Sequence, residues 1–539
     1  APGVLSHAGG IPLVTAAAAL MGGTLPALAR AVHAEGGVER TVARLYAVNN
    51  AGAALGALSA GYFLIPRLGL TGASHALAGA GLLVAVGAAL LDNASGPAPT
   101  AHHIEEAEGG GRIPAWLVLS AVFVSGIVTL SYEAAWVRLL SVVLGASTYS
   151  FTAMLTGFVA GMGLGSYAVA AGVLPRWPAS RLFGLAQAGA GLAVLASWPL
   201  YERLPWLFYR MSAVIPKTVE GYHCFEAAKL AFCFLLTLLP TAFLGAAFPR
   251  ASRTAAARLG KIGAGVGAVG ALAALGNVLG ALTAGLTFLP AFGVQGLLSW
   301  GAATNIALGL AVASADASWP RARRALLAGL AGLALLSHFL WGGSWDRLLL
   351  AVGTHRFDGI VELDFHTYLE ALRLKRRVLF QRDDAEASVS IMEIPDDGIR
   401  ALMINGKADA SNGVDMGTQR LLGQLPFVLN PAAKRALLIG LGSGVTAGTT
   451  LGWPLERLDV VEISPAVAEA SAFFNGYSGM PLADPRLSLH LGDGRAFLRR
   501  ATQRWDAIVS EPSNPWIAGI GNLFTVEYFR LARSRLVPG

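Results

Sequence analysis

Charge is scarce in this chain. Asp, Glu, Lys and Arg supply 14% of its 539 residues, against about 25% in a typical soluble domain. Hydrophobic residues reach 54% and mean hydropathy is +0.56. Those values exclude an ordinary soluble globule of this length and call for several bilayer spans. Cysteine is nearly missing: Cys224 and Cys233 are the two present. Neither has partners at metal-ligand spacing, so no metal site and no disulfide framework is expected. A secretory leader pattern is also lacking, since the chain opens Ala1-Pro2-Gly3 without a basic and apolar prelude. It stops at Leu536-Val537-Pro538-Gly539, and both ends are read as cut.

What the chain does have is uneven. Residues 1–343 are rich in Ala, Gly and Leu, whereas 344–539 have soluble composition, with the change near Gly342-Gly343. Apolar runs of spanning length fall at about 11–29, 43–66, 69–91, 114–131, 148–172, 181–200, 225–248, 263–289, 293–314 and 323–342. The expected architecture is thus an α-helical polytopic membrane bundle of about ten helices, embedded in a lipid bilayer, followed by an α/β module. Within it, 1–92 and 114–343 are helical, 93–113 is a polar loop, 344–430 is a linker with a small β domain, and 431–539 binds a cofactor.

The helical part is duplicated. Gly52-x-x-Leu55-Gly56-Ala57-Leu58-Ser59-Ala60-Gly61, then Pro66, Gly69 and Gly72, returns 224 residues later as Gly276-x-x-Leu279-Gly280-Ala281-Leu282-Thr283-Ala284-Gly285, then Pro290, Gly293 and Gly296. Such parallel halves build many transporters. On this reading 1–92 is the end of a first repeat, and 114–343 is a second repeat with one extra helix.

Arginine placement predicts a topology. Arg30, Arg40, Arg112, Arg176, Arg181, Arg250, Arg253, Arg258, Lys261, Arg321, Arg323 and Arg324 occupy alternate loops. Arg67, Arg203, Arg210 and Lys217 occupy the others. The positive-inside rule makes the first set cytoplasmic, as in a bacterial inner membrane, and sends the soluble module to the far side. These arginines also account for the net charge of +7, so no nucleic-acid partner is expected. Ser131-Tyr132-Glu133-Ala134-Ala135-Trp136-Val137-Arg138 sets an acid and a base beside two aromatics. It reads either as an interfacial helix with a local ion pair or as a charge pair in a translocation path. Asn50, Asn277 and Asn305 are expected to bond between helices, and Gly157, Gly161, Gly163 and Gly165 to let helices pack closely.

The soluble part carries chemistry. Ala387–Ile394 and Ile399–Asn405 alternate like a hairpin around Pro395-Asp396-Asp397-Gly398. From Arg435 strands and helices alternate, which implies a parallel sheet with its ligand at the strands' carboxyl ends. Leu437-Leu438-Ile439 runs into Gly440, Gly442, Ser443 and Gly444, a turn stripped of side chains so that backbone can approach a ligand. Glu462 ends the second strand and can accept from both hydroxyls of a ribose. Asp493 and Gly494 end the third, where the acid can accept from an adenine amino group. An NAD site is the rival, but its G-x-G-x-x-G spacing differs, with Val445 and Thr446 in place of a third glycine. Glu511 and Asn514 follow the fourth strand, facing a cofactor's reactive carbon; Glu511 is a candidate base toward an amine. A turn fixed by Pro512 and Pro515 is the alternative use of that cluster.

Residues 377–539 resemble the spermidine synthase family, and the whole chain resembles fused membrane transporter (major-facilitator-like)–spermidine synthase proteins. The residues that carry this are Ser131–Arg138, Asn405-Gly406-Lys407, Gly440–Gly444, Val461-Glu462-Ile463, Gly492-Asp493-Gly494 and Asn522-Leu523-Phe524-Thr525. The resemblance implies a small β domain before a Rossmann-like methyltransferase sheet, with decarboxylated S-adenosylmethionine donating an aminopropyl group to putrescine. It assigns catalysis to Glu511 and Asn514 and the acceptor side to Asn405, Asp415 and Gln419. Departures from the family pattern fall where the chemistry should be: Ser443 replaces an acid of the glycine turn, Glu511 and Asn514 replace two Asp, Val389-Ser390 replaces a Tyr-Gln pair and Thr418-Gln419 a Tyr-His pair. Losing carboxylates weakens a site for a dication, and Ser443 also suits intact S-adenosylmethionine and methyl transfer. A reading of another class makes the chain a small-molecule transporter with a non-catalytic sensing domain, and a third makes it a scaffold subunit.

Overall fold

The computed structural model describes residues 22–31, 37–94, 113–173, 177–216, 218–316, 320–341, 343–353, 364–515, 517 and 519–538. Most of the first apolar run, nearly all of the loop 93–113, and Arg112, Arg176 and Lys217 lie outside them. The first part is helical: α1 (22–31), α2 (Gly37–Ser59), α3 (Ile65–Ala94), α4 (Ala115–Leu144), α5 (Thr148–Ala170), α6 (Ala179–Ala196), α7 (Trp198–Val214), α8 (Val219–Leu259), α9 (Ile262–Thr283), α10 (Leu289–Ala315) and α11 (Arg321–Trp341).

The expected count of ten spans is corrected. Among the described residues seven continuous helices are long and apolar enough to cross a membrane. Two of these, Gly37–Leu91 and Ile262–Ala315, run for 55 and 54 residues. At about 1.5 Å per residue an unbroken helix of either length would reach about 80 Å, far beyond a hydrocarbon core of about 30 Å. Each swallows two of the expected runs, because the chain passes between them without a loop.

The join is made the same way twice. A π-helical turn covers Ala60–Leu64 and again Ala284–Phe288. Helical geometry then breaks at Gly69 (φ 67°, ψ 177°) and at Gly293 (φ 64°, ψ −179°), a conformation open to glycine. Three residues on, a methyl group at Gly72 would press on Leu68 Cβ at 2.9 Å, and one at Gly296 on Phe292 Cβ at 2.6 Å. Both copies of the 224-residue repeat therefore adopt one backbone. In the second copy the chain turns back on itself there. Val269 of α9 and Val312 of α10 share one end cluster with Ile113, Val118, Phe183, Ala251 and Ala255. Ala284 and Leu289 share the other cluster with Leu144, Trp198, Tyr201 and Trp345.

Helix contacts follow the small residues. A side chain at Gly157 of α5 would meet the Phe234 backbone of α8 at 2.9 Å, and one at Gly126 of α4 would meet the Ala273 carbonyl of α9 at 2.6 Å. Asn305 donates to Tyr132 Oη across helices at 3.4 Å. Asn50 instead donates to Tyr46 O of its own helix at 2.8 Å. The expected Glu133–Arg138 pairing gives way to another contact: Arg138 Nη2 donates to the carbonyls of Asp384 and Ala385, at 3.1 and 3.0 Å.

Two short helices, α12 (Arg347–Ala351) and α13 (Phe365–Lys375), lead into the module. Their Leu349, Val352, Tyr368 and Leu372 bury with Tyr209 of α7 and with Met392 and Met403. The expected hairpin is the middle of an antiparallel sheet in sequential order, β1 (Arg377–Asp383), β2 (Ser388–Ile394), β3 (Ile399–Ile404) and β4 (Lys407–Ser411). Helix α14 (Met416–Leu429) packs with the following domain, its Gly423 against Thr446 and Thr449. That domain contains β5 (Arg435–Ile439), α15 (Val445–Leu451), β6 (Arg457–Glu462), α16 (Pro465–Ala470), α17 (Asn475–Ser478), β7 (Leu487–Leu491), α18 (Gly494–Arg500), β8 (Ala507–Ser510) and α19 (Val526–Ser534). Its four strands are parallel in the order β7-β6-β5-β8. Alternate residues of β5 bury on opposite faces, Ala436 and Leu438 on one, Leu437 and Ile439 on the other.

The close approach of α5 and α8 makes a direct prediction. Gly157→Leu forces a side chain into the Phe234 backbone, which is expected to cost at least about 1–3 kcal/mol by overpacking. The thermal midpoint of the detergent-solubilised chain should fall; an unchanged midpoint would refute this packing.

Candidate functional site

The four parallel strands end on one cavity of about 770 Å³. Gly440, Gly442 and Ser443 after β5, Glu462 at the end of β6, Asp493 and Gly494 after β7, and Glu511 and Asn514 after β8 all line it. The glycine turn is left-handed at Gly440, Gly442 and Gly444 (φ 97°, 56° and 77°). Gly444 stands just behind the wall, at the start of α15. The sheet β1–β4 roofs the cavity, held by Val389, Ile391, Leu402 and Ala410 packing on Ala466, Val467, Ala470 and Phe474.

Glu462 is buried at 6% exposure. Its two oxygens accept from the amides of Leu441 and Ser464, both at 2.9 Å. Burial raises its pKa, and backbone amides at Leu441, Ser464, Ile463 and Gly442 offset part of that. A carboxylate has about four lone-pair sites, so acceptor capacity remains on both oxygens. Asp493 caps α18 by accepting from Ala496 N at 2.6 Å through Oδ1 and lines the cavity. Glu511 accepts from Thr446 Oγ1 at 2.8 Å. Burial pushes its pKa up, the Thr446 hydrogen bond lowers it in part, and the charge of Asp415 adds to the rise.

The residues expected on the acceptor side are differently employed. Asp415 lies off the cavity wall; it accepts from Ser411 N at 2.7 Å and Gln419 Nε2 at 2.8 Å. Gln419 lines the wall, but its carbonyl oxygen already receives the Ser443 hydroxyl. Asn405 also lines it, as a turn residue (φ 49°) whose side chain accepts from Ser388 N at 3.0 Å. These three act first to hold backbone and one another.

Several cavity residues carry no signal in a local reading. Leu144, Gly145, Ala146 and Ser147, the turn between α4 and α5, form one wall. Ser147 makes a β-bridge with Ile517 on the loop beyond Glu511. Lys407 contacts Asp409 and donates to Ser513 Oγ at 2.9 Å, while Ser513 donates to Asp409 Oδ1 at 2.8 Å. Strand alternation does place Lys407 and Asp409 on one face of β4, which was the available clue. Asp384 ties the roof to the segment after Glu462: its carboxylate accepts from Ser464 Oγ and, at 3.2 Å, from Ala466 N.

Residues 416–539 match the spermine/spermidine synthase domain. The C-terminal part of the chain is therefore a domain of that kind, on a Rossmann-like sheet. Over 173 residues the chain is 32% identical to putrescine N-methyltransferase 2 of Nicotiana tabacum, covering 32% of this chain and 48% of that protein. Over 178 residues it is 32% identical to polyamine aminopropyltransferase of Nitrosomonas europaea, covering 33% and 53%. Spermidine synthase of Coffea arabica is 30% identical over 173 residues, covering 32% and 54%. The chain spans about half the length of the curated relatives it matches. A solved structure of spermidine synthase from Thermotoga maritima aligns at 24% identity and TM-score 0.27, over 30% of this chain and 54% of that one.

The double use of Glu462 is testable. Glu462→Gln turns an acceptor toward a donor facing one of two buried amides, expected to cost about 1–3 kcal/mol. Thermal melts should show that loss, and methylthioadenosine should no longer raise the midpoint; retained stabilisation by the nucleoside would remove Glu462 from the site.

Proposed function

We propose that this chain is a membrane-integrated transferase that uses an adenosylmethionine-type cofactor to alkylate an amine, with aminopropyl transfer as the first assignment. One observation carries the reading: Gly440–Ser443, Glu462, Asp493 and Glu511 open on a single cavity at the carboxyl ends of parallel strands. A polar acid at each nucleoside position and a turn without side chains between them fit such a group. When bound it supplies a carbon beside a sulfonium, to which the acceptor nitrogen bonds as the carbon–sulfur bond breaks and sulfur keeps the electron pair.

The chain's residues do the rest. Glu462 holds the ribose, Asp493 the adenine edge, and the backbone at Gly440 and Gly442 follows the methionine-derived chain. Glu511 Oε1 takes the acceptor's proton, its Oε2 being fixed by Thr446. A raised pKa makes it a stronger base than an exposed carboxylate.

Methyl transfer from intact S-adenosylmethionine is the second reading. It is favoured by Ser443 in the glycine turn and by a putrescine N-methyltransferase matching as well as an aminopropyltransferase, at 32% each. A transporter with a ligand-sensing domain draws support from the Arg138 contact between helices and module.

The basic residues support an orientation as well. Arg181, Arg250, Arg253, Arg258, Lys261, Arg321, Arg323 and Arg324 border the end cluster of Ile113, Phe183, Ala255 and Val312, opposite the end that meets the module. By the positive-inside rule that end is cytoplasmic and the module lies across the membrane.

Calorimetry on the full chain in detergent tests the enzyme reading. Tighter binding of decarboxylated S-adenosylmethionine supports aminopropyl transfer, tighter binding of the intact form supports methyl transfer, and binding of neither overturns both. The transfer rate should fall as pH drops through the raised pKa of Glu511, above the ordinary value of about 4.3, because the base must be deprotonated. Glu511→Gln should remove this acid limb along with about 10²–10⁴-fold of rate. Turnover unchanged in that variant would refute its role.

A further inference from the structure

The transferase reading places an amine at Glu511, and the far end of that acceptor must then meet the wall formed by the loop after β8 and by β4. A diamine presents an ammonium there and needs a free carboxylate. The described cavity offers none at that end. Glu462 and Asp493 belong to the nucleoside end and serve backbone amides. The backbone of Glu386, on the β1–β2 loop, is tied through Asp384 and Ser464 to Glu462. Asp415 lies off the wall, spent on Ser411 and Gln419. Ser443 stands in the glycine turn and gives its proton to Gln419.

The remaining acid, Asp409, already holds a cation. Lys407 Nζ is paired with it and with Ser513 Oγ, which itself donates to the same Asp409 oxygen. Lys407 and Asp409 are each 12% exposed at the side chain, so both are largely withdrawn from solvent. Ser513 lies two residues from Glu511, on the same loop, and all four residues face the cavity. Lys407 thus holds an ammonium on the same wall as Glu511, bonded to a serine two residues along its loop. A dicationic acceptor meets like charge there, whereas an anionic tail meets a positioned donor.

We propose that Lys407 is a specificity-determining residue that fills the second-ammonium subsite, so that the acceptor is an amine carrying a carboxylate rather than a diamine. The inference rests on the transferase reading, and the test separates the two.

The probes are 4-aminobutyrate and putrescine, which share one amine and a four-carbon chain and differ in the charge at the other end. Both are titrated calorimetrically into the full chain in detergent, with methylthioadenosine present and absent. The native chain is expected to bind 4-aminobutyrate at least about tenfold more tightly than putrescine. Lys407→Met frees Asp409 and should reverse the order, while Lys407→Arg keeps the charge and should keep the native preference. Equal or tighter binding of putrescine by the native chain overturns the proposal. So does an order unchanged in Lys407→Met, or binding of neither amine while methylthioadenosine binds. Failure of methylthioadenosine itself to bind overturns the nucleoside reading, and the amine ratio measured without it still decides the role of Lys407.

Discussion

The cavity depends on a charged loop gripped between two apolar helices. Arg138 is 8% exposed near the end of α4 and donates to the carbonyls of Asp384 and Ala385. Beside it, Asp383 accepts from Val294 N at 3.3 Å, the amide laid open by the break at Gly293. A guanidinium in apolar surroundings is costly unless paired, and here the loop carbonyls take up Nη2 while the buried Nη1 has no hydrogen-bond partner. From there the bonds run inward without a gap. Asp384 receives Ser464 and Ala466, the Ser464 amide meets Glu462, and Glu462 receives the Leu441 amide. Glu462 is thus the inner end of a chain of hydrogen bonds that begins in α4.

The acceptor half is equally constrained, in the opposite sense. Buried polar groups find partners, and here they have found one another. Ser411, Asp415, Gln419 and Ser443 close one set, and Lys407, Asp409 and Ser513 another. A wall whose polar groups are paired with one another leaves few of them open to the cavity.

Legibility followed the range of the interactions. The glycine turn and the acids ending β6, β7 and β8 could be placed from sequence because a parallel sheet carries successive strand ends to one edge. The hydrogen bonds of Asn405, Asp415 and Gln419 could not, because short contacts between neighbours are not revealed by a family likeness. The wall at Leu144–Ser147 was illegible for another reason: a tight apolar turn more than 230 residues before the next cavity residue, Glu386, looks like any helix connection. Helix number failed on a single torsion, since at Gly69 and Gly293 the chain breaks its helix within one residue and offers no loop to recognise.

That same torsion explains where the module docks. A helix restarting after a break leaves amides without intrahelical partners and a partial positive charge at its new N-terminus. The duplication supplies two such restarts, after Gly69 and after Gly293. Leu70, the first-copy counterpart of Val294, is 67% exposed, whereas Val294 is buried at 7% under the carboxylate of Asp383. The acidic loop following β1 has therefore settled on the restart nearer to it in sequence, the one that Arg138 flanks from α4. An asymmetry between two copies of one motif arises in this way from an acid finding a helix end.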